Sequence, residues 1–532
     1  MQGKARAGVA VVRRQTLMLA AVAVLLCVAQ VGEAQQLARG TVFLDANSNG
    51  TREEAETGIA GVCVSNGRDV VQTALDGSWS VPVGDDTALF VIKPAGYAVP
   101  VNAHQIPQFY YLHQPHGSPP LVVPGVSPTG PLPKSVDFPL HRQQESDRFT
   151  VLFFGDTQAR GTREVNFVAH DVVEECIGTD AAFGVSLGDI AADGPALFPE
   201  ISQSIAQIGI PWYNVFGNHD GNRAAVDNRY RDDGFERLFG PTTYAFEYGQ
   251  VVFIALNDIF FGPDSSTTLF TDDQLAFVKS YLATVPPDRL VVLMMHAPIT
   301  GCRNREEMFR LLAGRPHTFS ISSHLHQTMH VFVGEDLGWR GPAPHHHFVT
   351  PAVSGSWWCG TVDELGIPHA TMNDGAPNGY SLITFDGNRY RIRFKAARRP
   401  ADYQMNIYLP DEVEQARASE TEILVNVFGG SERSTVEMQF GRTGPWTPLA
   451  QTVSIDPQCL RMHEQSPYLD QTVLGKPLEE VFGWKMDYPS KCRHMWKGAL
   501  PQNPPPGTHT VTVRTTDMFG QTWTAHRSVR IW

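Results

Sequence analysis

The sequence predicts a layered α/β domain set between two smaller all-β domains, and three changes of rhythm predict it. Over residues 37–98 apolar residues alternate in short runs bounded by turn residues. From residue 149 apolar runs of strand length alternate with amphipathic stretches, and beyond residue 400 the short runs return. Period-two alternation marks half-buried strands, and alternating β and α elements imply helices covering a central sheet. A chain of 532 residues exceeds what one hydrophobic core supports, and 42% apolar content is that of a globular protein.

Residues 1–34 read as a secretory signal. Lys4, Arg6, Arg13 and Arg14 form a basic head, Leu17 to Cys27 an apolar run of eleven residues, and Gly32-Glu33-Ala34 places small residues at a cleavage site. The run is short for a bilayer span, so cleavage is preferred to an uncleaved anchor. The expected location is periplasmic or secreted, with no membrane span once the signal is removed. Removal takes four basic residues and one acidic one, so the formal charge moves from −13 to −16. Such a surface repels polyanions, and no nucleic-acid binding is expected.

Six cysteines follow the signal: Cys63, Cys176, Cys302, Cys359, Cys459 and Cys492. None shows C-x-x-C spacing, and export permits disulfides. Cys459 with Cys492 is the preferred pair, Cys302 with Cys359 a second, and Cys176 reads as a buried thiol.

Residues 35–110 form the N-terminal β-sandwich, with strands at Thr41–Leu44, Gly61–Val64, Ser78–Val81 and Leu89–Ile92. Asp45, Asn47, Asn49, Gly50 and Glu56 match the twelve-residue calcium loop D-x-[DN]-x-[DN]-G-x₅-E. No helix precedes it, so the segment resembles the calcium loops of B-type stalk domains of bacterial adhesins. Structural calcium and a polar Asx-rich turn both stand as readings. Residues 111–146, rich in Pro between 113 and 134, read as a connector. Residues 147–397 form the α/β domain, with strands at Phe149–Phe154, Phe183–Leu187, Trp212–Phe216, Val251–Leu256, Leu290–Met295 and Thr318–Ser322. Helix-like stretches lie at Val165–Ile177 and Asp272–Leu282, and a hairpin at 379–395 closes the domain. Residues 398–532 form the C-terminal β-sandwich.

Five short motifs stand at or just after the ends of the central strands: Gly155-Asp156-Thr157-Gln158, Gly188-Asp189, Gly217-Asn218-His219-Asp220, His296, and Ser323-His324-Leu325-His326. Ligands of open α/β sheets sit outside the carboxyl ends of strands, so five such segments converge in one crevice. This order resembles the calcineurin-like metallophosphoesterases, whose pattern is D-x-H, G-D, G-N-H-[DE], H and G-H-x-H. Gln158 stands where that family usually has His, and Ser323 replaces a Gly. The segments His345-His346-His347, Ser354–Trp358, Asp374–Tyr380 and Gly507–Gly520 extend the likeness to a bacterial subfamily with dedicated N- and C-terminal domains.

The resemblance implies a central layered α/β domain, a β-sandwich flanked by helices, holding two divalent ions. Asp156, Asp189 and His326, with Gln158, would hold the first; Asp189, Asn218, His296 and His324 the second, with Asp189 shared. Carboxylate, amide and imidazole together suit Mn, Fe or Zn. The implied reaction is hydrolysis of a phosphomonoester or phosphodiester, with His219 as general acid and Asp220 orienting it. Arg303 and Asn304 read either as phosphate donors or as solvated surface. Trp357 and Trp358 are expected to pack, and His345–His347 to form a surface cluster. The alternative function is a catalytically silent metal-binding module on an adhesin-like scaffold.

Overall fold

The computed structural model of the chain describes residues 36–192, 194–225, 227–262, 266–465 and 486–532; the signal-like segment 1–34 lies outside them. Among the described residues no helix is long and apolar enough to cross a membrane.

Two sheets build the central domain. The first is ordered Trp212–Val215, Phe183–Leu187, Arg148–Phe154, Gly379–Asp386 and Arg389–Ala396. Its first three strands run parallel, and Gly379–Asp386 pairs antiparallel as one arm of the closing hairpin. The second sheet is ordered Tyr244–Tyr248, Val251–Ala255, Leu290–Met294, Thr318–Ser322, His345–Val349 and Met329–Val333. Its four inner strands are parallel.

The pleat sorts the side chains of each strand to two faces. In Arg148–Phe154, Val151 and Phe153 join the core shared with the second sheet. Leu152 and Phe154 turn to the other face, where they meet the helix Phe198–Ile205. That helix buries Phe198, Ile201, Ser202 and Ile205, the spacing of one helical stripe. The helix Asp272–Leu282 starts in a capping box, Thr271 accepting from the Gln274 N–H and the Gln274 side chain accepting in return. The stretch read as one helix at Val165–Ile177 runs from Thr162 to Cys176, with a π-helical segment at Ala169–Val173.

The N-terminal sandwich pairs a sheet ordered Ser78–Pro82, Leu37–Leu44, Phe138–Arg142, Tyr97–Ala98 with one ordered Val70–Gln72, Cys63–Ser65, Thr87–Val91, Tyr110–His113. The expected connector over 111–146 is therefore not a free linker. Phe138–Arg142 is a strand running parallel to Leu37–Leu44, with Val42 opposite Phe138. The Pro-rich run is fastened to the central domain by Gln114 and Ser118, which donate to Asp233, and by Asn222, which donates to the Val123 carbonyl. One apolar core runs through both domains, Phe90 meeting Phe277 edge-on at 5.6 Å. Lys93 is buried at this junction, paired with Glu145 at 2.7 Å.

The C-terminal sandwich has its own core, including Val425, Trp496, Val511, Val513 and Ile531. Its sheets are ordered Met405–Tyr408, Glu422–Val427, Cys492–Ala499, Ala450–Ser454 and Glu412–Val413, Thr522–Ile531, Gly507–Thr516, Thr435–Phe440, Trp446–Pro448.

Two expectations are corrected. All six cysteines are buried free thiols, so neither Cys459–Cys492 nor Cys302–Cys359 is a disulfide. Burial raises their pKa, that of Cys359 and Cys459 to about 12, which keeps them protonated and inert. His345, His346 and His347 are no surface cluster: they lie buried in the strand His345–Val349. Ser320 reaches His345 Nε2 and His347 Nδ1, both at 2.7 Å, while His346 bonds His330 and Tyr390. Partners on the neighbouring strands and, for His346, Tyr390 of the facing sheet satisfy each ring, so burial is tolerated.

Candidate metal centre

Parallel strands end at one edge, and the five motifs follow those ends. Gly155-Asp156 leaves Arg148–Phe154, Gly188-Asp189 leaves Phe183–Leu187, and Gly217-Asn218-His219 follows Trp212–Val215. His296 follows Leu290–Met294, and Ser323-His324 follows Thr318–Ser322. Gly188 and Gly217 pack where no side chain fits: a Cβ on Gly188 would fall 2.6 Å from His296 Nδ1, and one on Gly217 would fall 2.2 Å from the Asp189 nitrogen.

Around His296 three side chains converge. Its Nε2 lies 3.0 Å from Asn218 Oδ1, 3.1 Å from His324 Nδ1 and 3.2 Å from Asp189 Oδ2. Its Nδ1 donates to the Leu187 carbonyl at 2.8 Å, which leaves Nε2 as the ligating nitrogen. Asp189, His296 and His324 are the one group of three His, Cys, Asp or Glu among the described residues whose donor atoms lie close enough together to share an ion.

Asp189 also faces the second cluster. Gln158 Nε2 lies 3.0 Å from Asp189 Oδ2, and His326 Nε2 lies 3.8 Å from Asp156 Oδ1. His326 Nδ1 bonds the Gly355 carbonyl, so Nε2 is the atom turned to the site. Two buried oxygens here, Asp156 Oδ1 and Gln158 Oε1, have no hydrogen-bond partner. A buried unpaired oxygen costs about 1–3 kcal/mol, which a cation would relieve. The residues present therefore fit two divalent ions, with an amide oxygen where the related pattern carries imidazole.

The backbone is unusual as well. Of the seven residues expected to ligate, five hold positive φ: Asp156 at 40°, Gln158 at 35°, Asp189 at 50°, His324 at 71° and His326 at 51°. Such conformations cost about 1–3 kcal/mol each for residues with a Cβ and persist where the surroundings enforce them.

Electrostatics distinguish the groups. Burial raises the Asp156 carboxyl to about 8 against the pull of His296. Burial also opposes the Asp189 carboxylate, yet the charge and hydrogen bond of His296 outweigh it and hold its pKa low. His296 is depressed by burial but lifted by Asp189, Asp156 and Asp258 to about 10. Burial lowers His324 and His326 to about 4, so both are neutral at pH 7.

Ligation requires Asp156 ionised and His296 neutral, so metal uptake must displace a proton from each. Below about pH 8 both protons are present. Apparent affinity is expected to rise with pH by about tenfold per unit for each displaced proton. Once pH passes the Asp156 value, the dependence halves. Manganese titration in weak buffer, with released protons counted, tests this; uptake without proton release would contradict it.

Not every expected residue serves as the pattern implied. Asp220 is fully buried, and its carboxylate accepts from the Gly217 and Ile190 N–H groups at 2.8 Å. It ties two ligand loops together, Gly217 on one and Ile190 on the other. His219 is half-buried, its backbone N–H donating to Asp189 Oδ1 at 2.8 Å. Asn304 is removed from the substrate contacts, because both ends of its amide bond the Phe270 backbone. Arg303 is exposed, its N–H bonding Thr268 beside the hairpin Ile259–Phe261/Ser266–Thr268.

Three further residues support the site. Asp258, buried, accepts from the His296 and Ala297 N–H groups. It follows a core strand, the same signal that marks the five motifs. Trp357 lies against His326, ring centroids 4.1 Å apart, and its carbonyl accepts from Arg160 at 2.8 Å. Trp358 is fully buried, its indole N–H donating to the Thr157 carbonyl.

With this geometry in view, comparison with known proteins is informative. A family model for the calcineurin-like phosphoesterase matches residues 149–328, one for the N terminal of calcineurin-like phosphoesterase matches 46–120, and one for its C terminal matches 347–523. No curated protein matches. Among solved structures, a purple acid phosphatase from yellow lupin (Lupinus luteus) seeds is 11% identical, with a TM-score of 0.35 over 64% of this chain and 69% of that one. An endo-fucoidan hydrolase of glycoside hydrolase family 107 is 10% identical, with a TM-score of 0.16 over 70% and 72% of the two chains. Neither structural likeness carries an argument.

Proposed function

The chain belongs to the calcineurin-like phosphoesterases with dedicated N- and C-terminal domains, a metal-dependent phosphoric ester hydrolase, and on that premise we propose an exported two-ion enzyme acting on phosphomonoesters or phosphodiesters. The observation that carries the proposal is the convergence of Asp189, Asn218 and His324 on His296 Nε2. When bound, two divalent ions supply an acidified water and neutralise charge on the phosphoryl oxygens.

The chain's own residues do the rest. Asp156, Gln158, Asp189 and His326 hold the first ion; Asp189, Asn218, His296 and His324 hold the second; the donor set suits Mn, Fe or Zn. His219, pinned through its N–H to the shared ligand, gives its ring proton to the leaving oxygen. Asp258 fixes the His296 backbone and Asp220 fixes the loops of Asp189 and Asn218. Trp357 covers His326 on one side and limits water there. Export rests on the signal-like residues 1–34.

Metal analysis of the purified protein, joined to a panel of phosphomonoesters and phosphodiesters, tests this reading. Two bound ions per chain and turnover of at least one ester class are expected. Two bound ions without hydrolysis would favour the silent metal-binding module.

Calcium at the N-terminal loop is part of the proposal. Asp45 accepts from Asn49 and Gly50, Asn47 from Asn49, and Glu56 from Ala46 and Glu53, so the loop closes on its own hydrogen bonds. The oxygens of Asp45, Asn47, Asn49 and Glu56 retain lone pairs for an ion, and extracellular loops of this class bind calcium at about 10⁻⁴–10⁻³ M. Because this domain shares its core with the central one, the full chain is the object to test. Millimolar calcium, compared with equal magnesium, is expected to raise its unfolding temperature without changing turnover, and Glu56→Gln to abolish the shift. Identical melting in both salts would leave a polar turn.

A further inference from the structure

The ligand loop Ser323–Thr328 is held at both ends. At its start the Ser323 hydroxyl and the His324 N–H donate to Asp156 Oδ2, the latter at 3.0 Å. At its end the Thr328 N–H donates to Asp374 Oδ2 at 2.7 Å. His326 stands between, close to the second anchor. Asp374 belongs to the segment after the second sheet, and its other oxygen accepts from the Ala376 N–H at 2.9 Å.

What holds Asp374 comes from the C-terminal sandwich. His494, on the strand Cys492–Ala499, places Nε2 3.0 Å from Asp374 Oδ2 and Nδ1 2.8 Å from Asn426 Oδ1. The Asn426 amide nitrogen is spent on the Asp374 carbonyl at 3.1 Å and on Asp456 Oδ2 at 2.9 Å, so its oxygen faces the histidine. Both imidazole nitrogens therefore meet acceptors, and both donate. Tyr408 closes the network by donating to Asp456 at 2.7 Å. Asp374, His494, Asn426 and Asp456 are all buried, and Gly375 sits so close to Asp456 that a Cβ would fall 2.2 Å from its carboxyl carbon. Charge-assisted bonds in such a dry place are strong and costly to break.

We propose that His494 of the C-terminal sandwich is a positioning residue for the first metal site, acting through Asp374 and the Thr328 N–H on the loop that carries His326. The inference rests on the two-ion reading above. It gives the C-terminal domain a part in the active site: without His494, Asp374 loses a strong partner and the far anchor of the loop loosens. His324, beside the Asp156 anchor, keeps its place, so the loss falls on the ion held by His326.

Groups that orient metal ligands typically cost about 10–100-fold in metal affinity when removed. Manganese titration of the metal-stripped full chain is expected to show two sites in the native protein. In His494→Phe the first site should be about 10–100-fold weaker and the second unchanged. Electron paramagnetic resonance should then show an isolated ion where the native protein shows a coupled pair. His494→Gln, which restores an N–H donor, should recover most of the affinity. If His494→Phe does not fold, Asp374→Asn carries the test, because one amide oxygen must then serve donors that shared a carboxylate. Native affinity at both sites in whichever variant folds, even with a lower unfolding temperature, would overturn the proposal and leave His494 a domain fastener. A native chain that binds no manganese would instead overturn the two-ion reading.

Discussion

Asp189→Asn is expected to lower hydrolysis by at least about 10³-fold on every substrate while leaving the fold intact. The side chain is buried and accepts from the His219 N–H at 2.8 Å and from Gln158 Nε2 at 3.0 Å, with His296 Nε2 at 3.2 Å. An isosteric amide keeps the volume and one acceptor oxygen but removes the charge that both ion positions face. The clamp on the phosphoryl oxygens is worth several kcal/mol, and about 1.36 kcal/mol is tenfold in rate. His296 should respond too, since Asp189 is the foremost group holding its proton. Its pKa should fall, so residual metal uptake should displace fewer protons than in the native chain. Activity within tenfold of native, with both ions retained, would remove Asp189 from its shared position.

His219→Ala should leave both ions bound yet slow turnover by about 10²–10⁴-fold on substrates with poor leaving groups. The backbone N–H that holds Asp189 survives this change, so the ligand set should stay in register. A leaving group already stable as an anion needs no proton, and for such esters the deficit should shrink toward unity. That contrast separates proton donation from a packing role. A uniform deficit across leaving groups would assign His219 to binding or structure.

Much of this was legible in the sequence because the site lies where strands end. Each apolar strand announced itself, and the Gly-Asp, Gly-Asn-His-Asp and His-x-His motifs sat at its carboxyl end, so crevice and ligands could be read together. What escaped reading shares one physical cause: residues whose partners lie distant in sequence. The strand His345–Val349 hides because Ser320 and Ser322 of the neighbouring strand bond its histidines, a match that depends on the register placing Ser320 opposite His347. Asn304 looked like a phosphate donor until its amide met the Phe270 backbone. The connector concealed Phe138–Arg142, whose run Phe138-Pro139-Leu140 alternates only briefly and pairs with a strand from the start of the domain. His494 gave no local signal at all, since its partners Asp374 and Asn426 lie in other elements.

The left-handed backbone at Asp156, Gln158, Asp189, His324 and His326 has a consequence for engineering. At these positions glycine, which has no Cβ to clash, would relieve strain, by about 1 kcal/mol or more each. A campaign that selects variants for heat resistance alone would thus be drawn in part to the ligands, which are five of the twelve non-glycine residues at positive φ among the described residues. Its winners would be more robust proteins with an emptied catalytic edge. Thermostable variants that keep activity should instead gather their changes elsewhere: in the sandwich cores, the helix caps and the Pro-rich run.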